Sequence, residues 1–262
     1  MKQAQRPKYF SPAADLASRI LELLSRYRTK EGTLTEISNA LGASKATCLR
    51  VLKTLVWHRL VRYDERTRRY SLGIQSVVVG IRAEENIDYL LQLRPYLREA
   101  AEKTDMTAVL VQQVSYDRMM YVAKQESDSR ARVTVSVGNR FPITGVSYGK
   151  WLLAYASAEE REAVLAEGLR QHTEATVTDL DDYRAQLKAI RDAGVLISRE
   201  EYVPGICAVS CPVLDHEGRF LGVIAVLGFA SACDDDMLAS VVETMREIGQ
   251  RYSQGGGDVD RV

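Results

Sequence analysis

The segment from Thr33 to His58 constrains the fold more than any other, because it holds two helix starts with almost no chain between them. Thr33-Leu34-Thr35-Glu36 reads as a capping box, a threonine hydroxyl at the N-cap and a glutamate three residues later. Leu34, Ile37, Ala40 and Leu41 recur at helical spacing, and the pattern stops at Gly42, a residue suited to the left-handed turn past a helix end. Ser44 offers a second N-cap, and Leu49, Leu52, Leu55 and Val56 predict the inner side of a longer helix to about His58. A short helix, a glycine turn and a longer helix form a helix-turn-helix. Ahead of it, Leu16, Ile20, Leu23, Leu24 and Tyr27 predict one more amphipathic helix. Behind it, Leu60–Tyr63 and Arg69–Leu72 flank the polar turn Asp64–Arg68, which predicts a hairpin in the position of a wing.

Composition matters here through its distribution. The chain of 262 residues has no net charge, yet residues 1–75 hold 15 Lys and Arg against 6 Asp and Glu, a net of +9. The remainder holds 20 against 29, a net of −9. A basic front on an acidic body fits a polyanion that meets the front alone. The leucines of the third helix turn inward, so its polar side faces out with Ser44, Lys45, Thr47, Arg50 and Lys53, side chains able to reach base edges and phosphates. Thr33, at the neighbouring helix start, joins them as a candidate contact. Arg66, Arg68 and Arg69 on the wing are the candidate backbone clamp. The expected partner is double-stranded DNA. The same pattern also fits a winged helix that binds protein, which would lack the steep salt dependence of phosphate contacts.

Gly73 closes the first predicted domain, residues 12–73, and Ile74 to Glu85 reads as a helix within a linker, residues 74–90. The second predicted domain covers residues 91–252. It opens on a helix from Ile87 to Lys103 that contains Pro95. Strand-like runs follow at Met106–Val114, Met119–Gln125, Arg132–Val137, Val195–Glu201, Val209–Leu214 and Arg219–Leu227. Helices are expected over Ser147–Ala156, after the capping box Ser157-Ala158-Glu159-Glu160, from Asp179 to Arg191, and over Asp234–Tyr252. Helices mixed with antiparallel hairpins predict an α+β domain. Residues 253–262, with three successive glycines, read as a flexible tail.

Several function classes find no support. No apolar run approaches the ~18 residues of a membrane span, and Met1–Lys8 lacks the apolar core of a signal peptide, so a cytoplasmic protein with no membrane partner is expected. Cys48, Cys207, Cys211 and Cys233 have neither zinc nor disulfide-framework spacing, so neither metal nor cofactor is expected. Gly145–Trp151 fails as a phosphate loop: its glycine spacing is short, and Trp151 stands where a hydroxyl would hold magnesium. Cys207 as a nucleophile would need a histidine base, and His172 alone is placed to serve. No catalytic residue is expected; an enzyme using Cys207 remains the alternative.

Leu34–Gly42, Leu52–Leu55 and Arg69–Gly73, together with Phe141-Pro142-Ile143, Gly149-Lys150, Glu200–Gly205 and Cys207–Val213, resemble the IclR-type transcriptional regulators across residues 12–252. The resemblance implies a multi-domain chain: a mainly-α winged helix-turn-helix, a linker helix and a C-terminal α+β, GAF-like effector domain. It implies a small organic or aromatic acid as effector. It also implies a homodimer through the DNA-binding and linker helices, a possible tetramer through the effector domains, and a pseudo-palindromic operator. The implied effector site comprises Ser147 and Tyr148 at a helix start, Cys207, and Ser198, Ala225 and Leu227. Ser198 replaces an acidic residue of the family, and Ala225 and Leu227 replace serines. One residue fewer lies between Gly205 and Cys207 than the family has. The pocket so implied is less polar than in relatives that bind very small keto acids, which suits a bulkier, aromatic ligand.

Overall fold

The computed structural model describes residues 8–26, 29–85 and 87–255, and the chain divides into two compact units between Leu91 and Gln92. Tyr27 of the first predicted helix and residues 256–262 of the predicted tail lie outside the described residues.

The first unit begins with α1 (Pro12–Ser25), capped by Ser11 and carrying Pro12 at its start, where a missing N–H costs nothing. It continues through β1 (Glu31–Thr33), α2 (Leu34–Leu41), α3 (Lys45–Trp57), β2 (Val61–Asp64) and β3 (Arg69–Leu72), the strands pairing in the order β1-β3-β2. Leu16, Ile20, Leu23 and Leu24 of α1 meet Ile37 of α2, Cys48, Leu52 and Leu55 of α3, and Val61 and Tyr70 of the hairpin in one core. Cys48, rather than Leu49, takes the innermost place on the first turn of α3; Leu49 sits at the edge. Burying one such aliphatic chain is worth about 1.5–3 kcal/mol, against about 1 kcal/mol for a cap. Packing therefore holds the helices, and the caps decide where they begin. Gly42 ends α2 at φ 62°, in the left-handed region where a side chain is strained, and Arg19 of α1 donates to the Leu41 carbonyl at 2.8 Å. α4 (Ile74–Glu85) follows the hairpin and buries none of its residues within the unit.

The second unit is built on one antiparallel sheet. After α5 (Asp88–Thr104) come β4 (Thr107–Ser115), β5 (Arg118–Gln125), β6 (Arg140–Pro142), a single 3₁₀ turn at Ile143–Gly145, α6 (Ser147–Tyr155), α7 (Ala158–Leu165) and α8 (Leu180–Ala193). β7 (Leu196–Arg199), β8 (Ile206–Leu214), β9 (Phe220–Phe229) and α9 (Asp235–Gly255) complete it. The strand order is β6-β5-β4-β9-β8-β7. α6 covers one side of the sheet, where the Trp151 indole N–H donates to Ser210 Oγ at 2.9 Å, with α7 and α8 behind it. α9 covers the other side, with Gly249 packed on Cys211 and Tyr252 edge-on to Tyr96 of α5.

Two expectations change. Residues 132–137 alternate like a strand but form no ladder. Side chains take their carbonyls instead: Thr107 Oγ1 donates to Val133 O and Lys124 Nζ to Val135 O. The third strand of that region is β6, a few residues later. Residues 253–255, assigned to the tail, continue α9, where Tyr252 is buried and Ser253 Oγ donates back to the Gly249 carbonyl. No helix among the described residues is long and apolar enough to cross a membrane.

Candidate functional site

The first candidate site is the outer side of α3. Ser44 caps the helix by accepting from Thr47 N at 3.2 Å, and the two hydroxyls lie 2.9 Å apart. Arg50 and Lys53 are exposed on the side away from the core, and Lys45 is exposed at the first position of the helix. Thr33 and Glu36 complete their capping box: Thr33 Oγ1 accepts from Glu36 N, and Glu36 Oε2 accepts from Thr33 N at 2.8 Å. The Thr33 hydroxyl is thus already committed to the start of α2. At the wing, Asp64 Oδ1 accepts from Arg66 N and Thr67 N and fixes the turn, Arg68 takes a positive φ of 56°, and both Arg66 and Arg68 point into solvent.

Arg69 does not stand with them. On β3 its guanidinium lies against β1 and α2, with Nη1 and Nη2 3.3 and 3.4 Å from the two Glu36 oxygens and Nε 3.5 Å from Glu31. Strand alternation turns it away from the wing tip, and it ties the hairpin to the α2 cap. Its charge, with the N-cap bonds from Thr33 as the larger cause, holds Glu36 below the usual carboxylate range.

The second candidate site lies on the α6 side of the large sheet. The register there is fixed: Ser210 pairs with Ala225, Ala208 with Leu227 and with Ser198, so these five share one side. Ala225 and Leu227 are buried in the same cluster as Tyr148, and Ser147 and Ser198 are buried polar residues. Cys207 is not on that side. It pairs with Gly228 and Arg199, its neighbours on the α9 side include Cys233, and burial with that second thiol pushes it up to about 12. Cys207 is accordingly separated by the sheet from His172 on the α6 side, and the nucleophile–base pair of the alternative reading is not assembled.

Three aromatic residues outside the implied effector site stand in one wall with Tyr148, which belongs to that site. Tyr121 of β5, Phe141 of β6, Tyr148 of α6 and Tyr202 between β7 and β8 stand edge to face, with centroids 4.6 to 6.2 Å apart. The Tyr121 and Tyr148 hydroxyls lie 3.3 Å apart; burial pushes Tyr121 up to about 12 and Tyr148 well above its usual value, so both keep their protons. His172 packs 4.8 Å from Tyr202, and its Nε2 is buried without a hydrogen-bond partner among the described residues. Burial lowers its pKa, with Arg170 adding to the effect, so the ring is neutral at pH 7. The same Nε2 faces Gly145, where a Cβ would come within 2.6 Å of it. Gly145 ends the 3₁₀ turn that leads into α6, and no side chain caps α6.

A buried ion pair braces this wall. Lys150, 2% exposed, donates to Glu201 Oε2 at 2.5 Å and to Gln186 Oε1 at 2.8 Å. The Glu201 carbonyl accepts from the Thr173 and Thr176 hydroxyls, so α6, α8, the loop bearing His172 and the segment bearing Tyr202 are joined. Gly149 lets α6 pass so close that a Cβ there would overlap the Ile143 carbonyl at 1.8 Å. Among the described residues no cluster of His, Cys, Asp and Glu could hold a metal ion.

Residues 13–65 match the family of the IclR helix-turn-helix domain, and residues 82–254 match that of the bacterial transcriptional regulator IclR C-terminal domain. The HTH-type transcriptional regulator XynR of Escherichia coli K12 is 28% identical over 247 residues, which is 94% of this chain and 97% of XynR. A crystal structure of an IclR transcriptional regulator from Alicyclobacillus acidocaldarius superposes with a TM-score of 0.89 at 36% identity, over 94% of this chain and 99% of that one. An IclR homolog from Microbacterium hydrocarbonoxydans, solved in complex with 4-hydroxybenzoate, shares the fold at 18% identity and a TM-score of 0.78, over 92% and 98%.

Proposed function

The chain belongs to the IclR family of bacterial transcriptional regulators, and from that premise we propose how it reads DNA and what it senses. The regulator acts in the cytoplasm as a homodimer that presents two α3 helices to a pseudo-palindromic operator, with tetramers formed through the second units. Residues 12–73 are its DNA-binding domain, 74–90 its linker and 91–252 its effector domain. Ser44, Lys45, Thr47 and Arg50 approach base edges, while Lys53, Arg66 and Arg68 meet phosphates.

The effector is a small aromatic acid on the α6 side of the sheet. The observation that carries this is the aromatic wall of Tyr121, Phe141, Tyr148 and Tyr202 set beside a buried, unpartnered His172 Nε2 at the uncapped start of α6. The start of a helix offers N–H groups and partial positive charge to a carboxylate. Of the Tyr121 and Tyr148 hydroxyls, the one whose proton does not bridge the pair can donate to a ring substituent, and the Microbacterium homolog's 4-hydroxybenzoate carries such a group beside its carboxylate. Effector and operator affinities are then linked by one coupling free energy, each ligand altering the other's binding by the same factor.

Thermal-shift titration tests the effector class. Stabilisation by 4-hydroxybenzoate, lost in Tyr148→Phe and His172→Ala, is expected. Stabilisation by glyoxylate or pyruvate but by no aromatic acid would sink the reading.

A further inference from the structure

We infer that Trp57 is a DNA contact, the far end of the surface that α3 lays along the duplex. The inference rests on the operator-binding reading of α3 and extends it by one helical turn beyond Lys53. At about 100° per residue, Ala46, Arg50, Lys53 and Trp57 fall within an arc of roughly 60°. All four are exposed, while Cys48, Leu52 and Leu55 occupy the opposite side. Trp57 is 82% exposed, and the only other tryptophan, Trp151, is fully buried. A large aromatic left in solvent in line with an arginine and a lysine is continuous with the charged reading surface rather than with the core.

Length places it on the DNA. From Ala46 to Trp57 the helix advances about 16 Å at 1.5 Å per residue, whereas the major groove is about 12 Å wide. A helix whose first turns meet base edges and which crosses the groove obliquely therefore brings its last turn to the groove wall, where sugars and phosphates stand. An indole suits that wall. Its body packs on deoxyribose, and its single N–H, a donor only, points to a phosphate oxygen. The contact adds no charge. Losing it lowers affinity without changing the number of counterions released, whereas losing Lys53 also flattens the salt dependence.

The test uses the full chain and a duplex carrying the DNA immediately upstream of its own gene. Acrylamide quenching of tryptophan emission reports Trp57 in the native protein, since Trp151 is buried. Added duplex is expected to cut that quenching several-fold. Trp57→Ala is expected to bind about tenfold more weakly with an unchanged salt slope, Trp57→Phe to fall between, and Lys53→Ala to flatten the slope by about one. Trp57 still fully quenchable on a duplex that Arg50→Ala fails to bind would overturn the inference and leave the operator reading standing; α3 would then enter the groove steeply. A Trp57→Ala protein that loses its oligomeric state but keeps its affinity would also overturn it, assigning the indole to a contact between copies. Wild-type protein that binds the duplex no better than Arg50→Ala would overturn the operator reading itself, and this inference with it.

Discussion

The two units keep their working polar groups in opposite places. In the first, Lys45, Arg50, Lys53, Arg66 and Arg68 stand in water on a surface held from behind by leucines. In the second, Lys150, Ser198, Ser147, Tyr148 and the His172 Nε2 are buried. A surface charge is cheap to keep and easy to exchange, so it can be spent entirely on a partner. A buried polar group must be satisfied from within or by a ligand. The contrast implies that substitutions of those exposed side chains in the first unit change affinity at constant stability, while those of the buried groups in the second change both together.

The strongest way to break that contrast is Lys150→Met, which strands the Glu201 carboxylate in the interior. It should cost the second unit about 3–5 kcal/mol, read as an earlier urea transition of Trp151 emission in a Trp57→Phe background. Lys150→Met combined with Glu201→Leu should recover most of the loss. A single variant as stable as the wild type would mean that the pair does not brace the wall. Arg50→Ala comes next. It should weaken operator binding by about 1–3 kcal/mol in a fluorescence titration while leaving both urea transitions in place; a shifted transition would show that α3 is not a free surface.

Smaller effects sharpen the comparison. Thr33→Ala removes the α2 cap and should destabilise the first unit by about 1 kcal/mol, with hydrogen exchange rising first at the amides of Thr35 and Glu36. Glu126 offers a test in pH. Hydrogen bonds from Lys124 first, then Thr134, push it down to about 2 from the ordinary 4.5. Its folded-state pKa is depressed, so its contribution is complete above about 4.5 and is lost as pH falls toward 2. Because Glu126 is only half-buried at the surface and so partly screened, Glu126→Gln should flatten that acid limb only slightly in a pH-dependent melt. An unchanged limb would mean that the Lys124 and Thr134 hydrogen bonds to Glu126 add nothing to stability.

The first unit could be read from local spacing because its signals are local. Thr33 with Glu36, Gly42 and Ser44 act within a few residues, and helical period alone sorts Arg50 from Leu52. The second site is assembled from Tyr121, Phe141, Tyr148, His172 and Tyr202, brought together only by the sheet and its loops. No spacing joins them. The resemblance names Tyr148, and Phe141 and Tyr202 stand in its motifs, yet nothing in those motifs says that the three share a wall with Tyr121. Cys207 shows the sharper limit: neighbouring residues of a strand face opposite sides of the sheet, and spacing alone does not say which side Cys207 takes. Residues 132–137 fail for a related reason, since alternation marks a half-buried segment whether or not a neighbouring strand is there to pair with it. Arg69 is harder to read because spacing cannot say that two carboxylates, Glu31 and Glu36, meet its side chain across the small sheet.

That arginine has a practical consequence for anyone rebuilding the protein. Arg69 and Glu36 lie 33 residues apart, and one carboxylate both starts α2 and holds the wing strand. The wing is therefore not a separable cassette. Grafted onto another reading helix without Glu36, it would arrive with a loose hinge, and a duplex that pulled on the wing would pull on the first turn of α2 as well.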